Sequence, residues 1–95
     1  MIQERKATSI RALAGGDIAI VFEGDAPSAA RASLLLDSAG HLVGVDLGGE
    51  GFARTVVMLG PHEAVDSQRD SSVVVRPGEL RLPAAAVPLP NPYLA

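Results

Sequence analysis

The chain has 95 residues, no cysteine and a formal net charge of −3. That length makes one domain, the missing thiols exclude disulfides, thiolate metal sites and cysteine nucleophiles, and the acidic balance gives no general pull toward nucleic acid or an anionic membrane. Apolar residues make up 47% of the chain, yet only Phe22, Phe52 and Tyr93 are aromatic, so the core has to be aliphatic.

Residues 1–16 form an N-terminal segment that fits two patterns. Ile2, Lys6, Ile10 and Leu13 make a weak helical stripe, whereas Thr8-Ser9-Ile10 suits the start of a strand. Gly15-Gly16 ends either one. The start lacks the long apolar core of a signal peptide, and no apolar run approaches the ~20 residues of a membrane span. The expectation is a cytoplasmic protein with no membrane partner.

Asp17 to Glu23 reads as a strand, with Ile18, Ile20 and Phe22 on one face. Gly24 to Pro27 is a turn cluster. Ala30 to Gly49 then reads as one hairpin, around which the other strands are arranged. Ala32, Leu34 and Leu36 share a face on the incoming strand, because side chains alternate along a strand. Val43, Val45 and Leu47 form the apolar set on the outgoing strand, against Leu42, Gly44 and Asp46. Asp37-Ser38-Ala39-Gly40 is the joint: Asp can hydrogen-bond its own turn backbone, and Gly40 can take the positive φ of a bulged hairpin.

Gly48, Gly49 and Gly51 break the chain again. Arg54 to Leu59 is a fourth strand, apolar on both faces. Pro61 to Val65 suits one helical turn, Ser67 to Ser71 reads as a polar loop, and Ser72 to Arg76 is a fifth strand. Four prolines follow: Pro83, Pro88, Pro90 and Pro92. They rule out a central strand or a helix interior. Residues 80–95 are therefore read as an extended arm, whose Leu80, Leu82, Val87, Leu89, Tyr93 and Leu94 lie on something apolar. The domain limits on this reading are 1–16, 17–79 and 80–95.

The fold expected is mainly β, about five antiparallel strands in a meander or small open barrel, with the extended Pro-rich arm at its C-terminus. Short strands separated by turn signals point this way, and the connections are too short for parallel βαβ units. Val21, Leu35, Leu42, Val57 and Val74 make the strands apolar on a second face as well. Barrel closure, cover by the terminal segments, or a second copy would shield them. A homodimer or higher homo-oligomer is the favoured expectation.

Candidate chemistry is thin. His62 and Asp66 stand four apart, so a helical turn would aim both at one metal, as HExxH does with two His; the competing reading is a polar turn. His41 has Asp37 and Asp46 as neighbours for a ligand or catalytic role, against an exposed strand-end His. No GxSxG elbow presents a serine nucleophile. The glycines at 48, 49 and 51 precede a β-branched strand rather than opening a helix, as a phosphate loop does. Arg5, Lys6 and Arg11 lack interleaved aromatics for base stacking. We therefore assign no catalytic, cofactor-binding or metal-ligating residue, expect no cofactor and no nucleic-acid partner, and place an interaction role on Leu89, Tyr93 and Leu94.

Two resemblances sit on these residues. Residues 17–47 carry Asp17, Asp37, Gly40, Val43, Gly44, Val45 and Asp46 in the order of the small bacterial DUF2283-type domain, with its short strand followed by a Gly-turn hairpin. The resemblance covers about a third of the chain and implies a small β domain with no established biochemical activity. After Leu47 the chain departs from that pattern. Gly60-Pro61-His62-Glu63-Ala64-Val65 followed by Ser72 to Val75 is similar to the end of PRC-barrel-like modules. That implies a small barrel used for protein or RNA-processing contacts. The function expected is a non-enzymatic structural or interaction module that self-associates; the alternative is a regulatory module that binds a small ligand or metal.

Overall fold

The structure is a computed structural model and describes residues 2–24, 26, 28–48, 54–83 and 91–93. Among these, eight strands form one sheet that curls into a nearly closed barrel. They are β1 (Ile2–Ala12), β2 (Ile18–Phe22), β3 (Arg31–Leu36), β4 (Leu42–Gly48), β5 (Arg54–Met58), β6 (Ser67–Ser72), β7 (Val74–Arg76) and β8 (Glu79–Leu82), with a 3₁₀ turn at His62–Ala64. Their order across the sheet is β6-β3-β4-β5-β1-β2-β8-β7. The five strands read from the apolar runs are present, the fifth shortened to residues 74–76 because Ser72 ends β6 and Val73 lies between the two. Three more join them.

The first extra strand is β1, which settles the N-terminal ambiguity in favour of a strand. Residues 2–6 pair parallel with β5, and residues 7–12 pair antiparallel with β2 across a bulge at Thr8. A bulge bends its strand and raises the local twist, and here it marks where β1 passes from one half of the barrel to the other. All other strand pairs are antiparallel.

The second extra strand corrects the polar-loop expectation for residues 67–71. β6 has no apolar alternation, so periodicity could not reveal it. Its backbone nevertheless pairs with β3 along its whole length, Arg31↔Ser72 to Leu36↔Ser67. β6 and β7 lie at opposite ends of the sheet order, yet Val73 alone separates them in the chain. Val73 is 5% exposed, and its N–H donates to Ala30 O at 3.0 Å. One bent stretch thus ties the two ends of the sheet order together in the chain.

The third is β8. It takes residues 80–82, which composition places in the arm, into the sheet between β2 and β7. Leu80 and Leu82 alternate into the core ahead of Pro83, the first residue whose missing N–H would break the ladder. Pro61 sits in extended geometry just before the 3₁₀ turn rather than as its first helical residue.

The barrel interior is aliphatic. Ile18, Ile20, Leu34, Leu42, Val45, Val57, Leu80 and Leu82 meet there with Phe22 as the aromatic member of the buried set. The even alternation expected of β4 fails at one position. A register shift between Leu35 and Leu36 leaves Leu36 opposite Leu42 and Leu35 opposite Gly44. Val43 is the extra residue, so Leu42 joins Val45 and Leu47 inside. Val43 turns outward onto a second cluster with Leu35, Val56 and Met58.

Candidate functional site

The β3–β4 turn forms as its residues dictate. Asp37 Oδ1 accepts the Ala39 and His41 N–H groups at 2.9 and 2.8 Å, and Gly40 adopts φ +85°. An aspartate at the head of a turn commonly satisfies backbone donors in this way. The carboxylate's other oxygen is used by the C-terminal arm.

Asn91 and Tyr93 bring the arm there. Asn91 is buried at 6% exposure. Its Nδ2 donates to Leu42 O at 2.8 Å, and its Oδ1 accepts Tyr93 N–H at 2.9 Å. The second bond closes a small turn over Pro92, the geometry that an Asn-Pro pair favours. Tyr93 Oη then donates to Asp37 Oδ2 at 2.7 Å. The ring lies across Gly60, where an added Cβ would be 2.5 Å from Cδ1. Gly60 is itself positioned by the β4 bulge, because Val43 O accepts both Leu59 N–H and Gly60 N–H at 2.7 and 3.0 Å.

These contacts define a seat for residues 91–93, made of Asp37, the Leu42 carbonyl and Gly60. Tyr93 also packs on the second apolar cluster beside Ala64 and Val65. Of the interaction residues named from sequence, Tyr93 is therefore half-buried on its own fold; Leu89 and Leu94 lie outside the described residues. Asn91 and Gly60 were not singled out from sequence. The Asn-Pro pair was the available signal.

Electrostatics tighten the seat. The Tyr93 hydroxyl, ahead of the backbone donors and His41, holds Asp37 at a pKa of about 2 against the opposing effect of burial. The same bond pushes the Tyr93 phenol up. His41 Nδ1 lies 3.3 Å from Asp37 Oδ2. A carboxylate so supplied with donors is a weak proton acceptor near neutral pH. Asp46, the other neighbour expected for His41, is instead committed to Arg54.

That second carboxylate stands at one end of the barrel. Asp46 is 5% exposed. Arg54 donates to its Oδ2 through Nε at 2.8 Å and through Nη2 as well, and Gly48 N–H donates to Oδ1 at 2.8 Å. Burial alone would raise its pKa; the Arg54 and Gly48 hydrogen bonds outweigh it and hold the group below the ordinary carboxylate range. The pair lines an open cleft of about 340 Å³ with Ser33 and the surface pair Arg31–Asp70.

The remaining candidates separate. His62 Nε2 meets Glu4 Oε2 at 2.9 Å, which raises the imidazole pKa. Asp66 stands just before β6 and donates its backbone N–H to Leu36 O at 2.7 Å. Among the described residues no group of three or more His, Asp or Glu side chains converges as a metal site. Arg5 bonds Gln3 and Arg11 bonds Glu79. The glycine-rich loop at 49–51 lies outside the described residues. No helix among the described residues is long and apolar enough to cross a membrane.

No protein-family model matches the chain, and neither the curated proteins nor the solved structures give a match.

Proposed function

We propose that the protein is a non-enzymatic structural and interaction module that associates with copies of itself. One observation carries this reading. The outer face of the barrel bears a second apolar cluster, Leu35, Val43, Val56 and Met58, and part of its cover is Tyr93, in a short segment, residues 91–93, that belongs to no strand. A fold whose outer face is closed by a tethered segment has a surface that a second copy can share. The charged side chains of the candidate sites are matched within the molecule, Asp46 to Arg54, Asp70 to Arg31 and Glu79 to both Arg11 and Arg81. Such matching suits a structural part better than a reacting centre, which needs groups poised to exchange protons or charge. The small β domain implied by the resemblance of residues 17–47 to the DUF2283-type domain is in keeping with this role.

Light scattering of the full chain across a concentration series tests the reading. Mass rising toward two copies supports it, and a single-copy mass throughout refutes it. The second reading, a regulatory small-ligand module, draws on the cleft between Arg31 and Arg54. There the expected result is a rise in melting temperature with a small polar ligand, since a ligand bound only to the folded state stabilises it.

A further inference from the structure

We propose that the seat formed by Asp37, the Leu42 carbonyl and Gly60 is a recognition site for an Asn-Pro-Tyr segment, and that in the assembled protein this segment comes from a second copy. The two chains then exchange arms about a two-fold axis. The inference rests on the self-association reading and names its contact.

Each part of the motif is read by a separate group. The Asn91 amide reaches a backbone carbonyl that the β4 bulge leaves beside the β3–β4 turn. The Asn-Pro turn presents the next side chain, with Tyr93 N–H held by Asn91 Oδ1. The tyrosine is read twice, by the carboxylate at its hydroxyl and by the absence of a side chain under its ring. Gly60 is not needed for its backbone: its φ lies outside the left-handed region, and the nearest obstacles to a Cβ there are all Tyr93 ring atoms. The glycine serves the ring.

None of these contacts depends on the arm belonging to the same chain. Residues 91–93, which make the contacts with the seat, are in no strand. Seven residues join Pro83 to Asn91, among them Pro88 and Pro90. A proline-rich link of that length spans at most about 25 Å, which limits the exchange to a neighbour whose seat lies within that distance of Pro83. Because the same atoms meet in either arrangement, the balance is set by concentration. A short link gives the chain's own arm an effective concentration of order 1 mM, and exchange between identical elements is a low-cost route to dimers.

The test uses three full-length chains: the natural one, Gly60→Ala with a blocked seat, and Asn91→Ala/Tyr93→Ala with a blunted arm. Light scattering and fluorescence transfer between labelled chains are followed up to about 1 mM. The natural chain is expected to pair, and neither variant alone. Their mixture is expected to form a one-to-one pair, since one supplies the arm and the other the seat. A synthetic LPNPYLA peptide should bind the blunted-arm chain and lose binding when Gly60→Ala is added. The arm peptide with Tyr93→Phe, which lacks only the hydroxyl, is expected to bind the blunted-arm chain about tenfold more weakly than the natural peptide, and covers the case in which Gly60→Ala folds poorly. If both variants pair as well as the natural chain, the exchange is overturned while self-association stands on another surface. If the natural chain stays single throughout, both are overturned, even where the peptide binds.

Discussion

The ring of Tyr93 occupies the space that a side chain on Gly60 would take, with Cδ1, Cγ and Cε1 at 2.5, 2.8 and 3.1 Å from an ideal Cβ. The two residues are 33 positions apart in sequence, and only the folded chain couples them. Gly60→Ala is therefore expected to lower the melting temperature by about 5 °C in the natural chain and by far less in a Tyr93→Ala background. Thermal unfolding of the four chains of this cycle measures the coupling. Equal effects in both backgrounds would show that Gly60 matters for another reason.

Acid should loosen the arm through Asp37. Its folded pKa of about 2 lies below the ordinary value of 3.8, so its contribution to stability is fully present above pH 3.8 and is lost as pH falls toward 2. Asp37→Asn should flatten that part of the stability profile. Denaturant unfolding at pH 5, 4, 3 and 2.5 gives the comparison. A natural chain and variant with parallel profiles would remove Asp37 as the acid-sensitive group.

Removing Arg54 should reverse the titration of Asp46. In the natural chain the guanidinium and the Gly48 N–H outweigh burial. In Arg54→Ala only the backbone donor is left, and burial raises the pKa of a carboxyl group. The side-chain carbonyl resonance of Asp46, followed by NMR against pH, is expected to titrate below 3.8 in the natural chain and at a clearly higher pH in the variant.

Two substitutions separate the core from the surface. Leu34 is fully buried in the barrel interior, and Leu34→Ala should cost about 3 kcal/mol. Val74 is 54% exposed, and Val74→Ser should change stability by no more than about 0.5 kcal/mol. Urea unfolding of both variants reads these values. A large effect at Val74 would place that side chain in a contact that the single chain does not contain.

The His62–Glu4 pair gives the opposite pH sign. Glu4 raises the imidazole pKa above 6.5, so any stabilisation is complete below pH 6.5 and disappears as pH rises through the folded value. Both groups are well exposed, and salt screens such pairs. Glu4→Gln should bring the His62 resonance back toward pH 6.5 by NMR.

The sequence by itself determined the β class, the Asp37–Gly40 turn and the strands whose apolar residues alternate, because local propensity and alternation are encoded within a few neighbouring residues. It also indicated a second apolar face, but of the residues named for it only Leu35 lies in the second cluster; Leu42 and Val57 are in the interior and Val74 is exposed. The tertiary structure decided what depends on partners distant in the chain. β6 is polar throughout and is a strand only because β3 supplies its ladder. Val43 faces outward only because a bulge against β3 shifts the register. β1 joins two halves of the barrel through neighbours that follow it by up to 52 residues, Ile2 lying opposite Arg54. The seat brings together Asp37, Leu42, Gly60 and Tyr93, none of which carries a local signal for the others. Backbone pairing and side-chain packing are satisfied only when the barrel closes, so their outcome is a property of the closed sheet and not of any single segment.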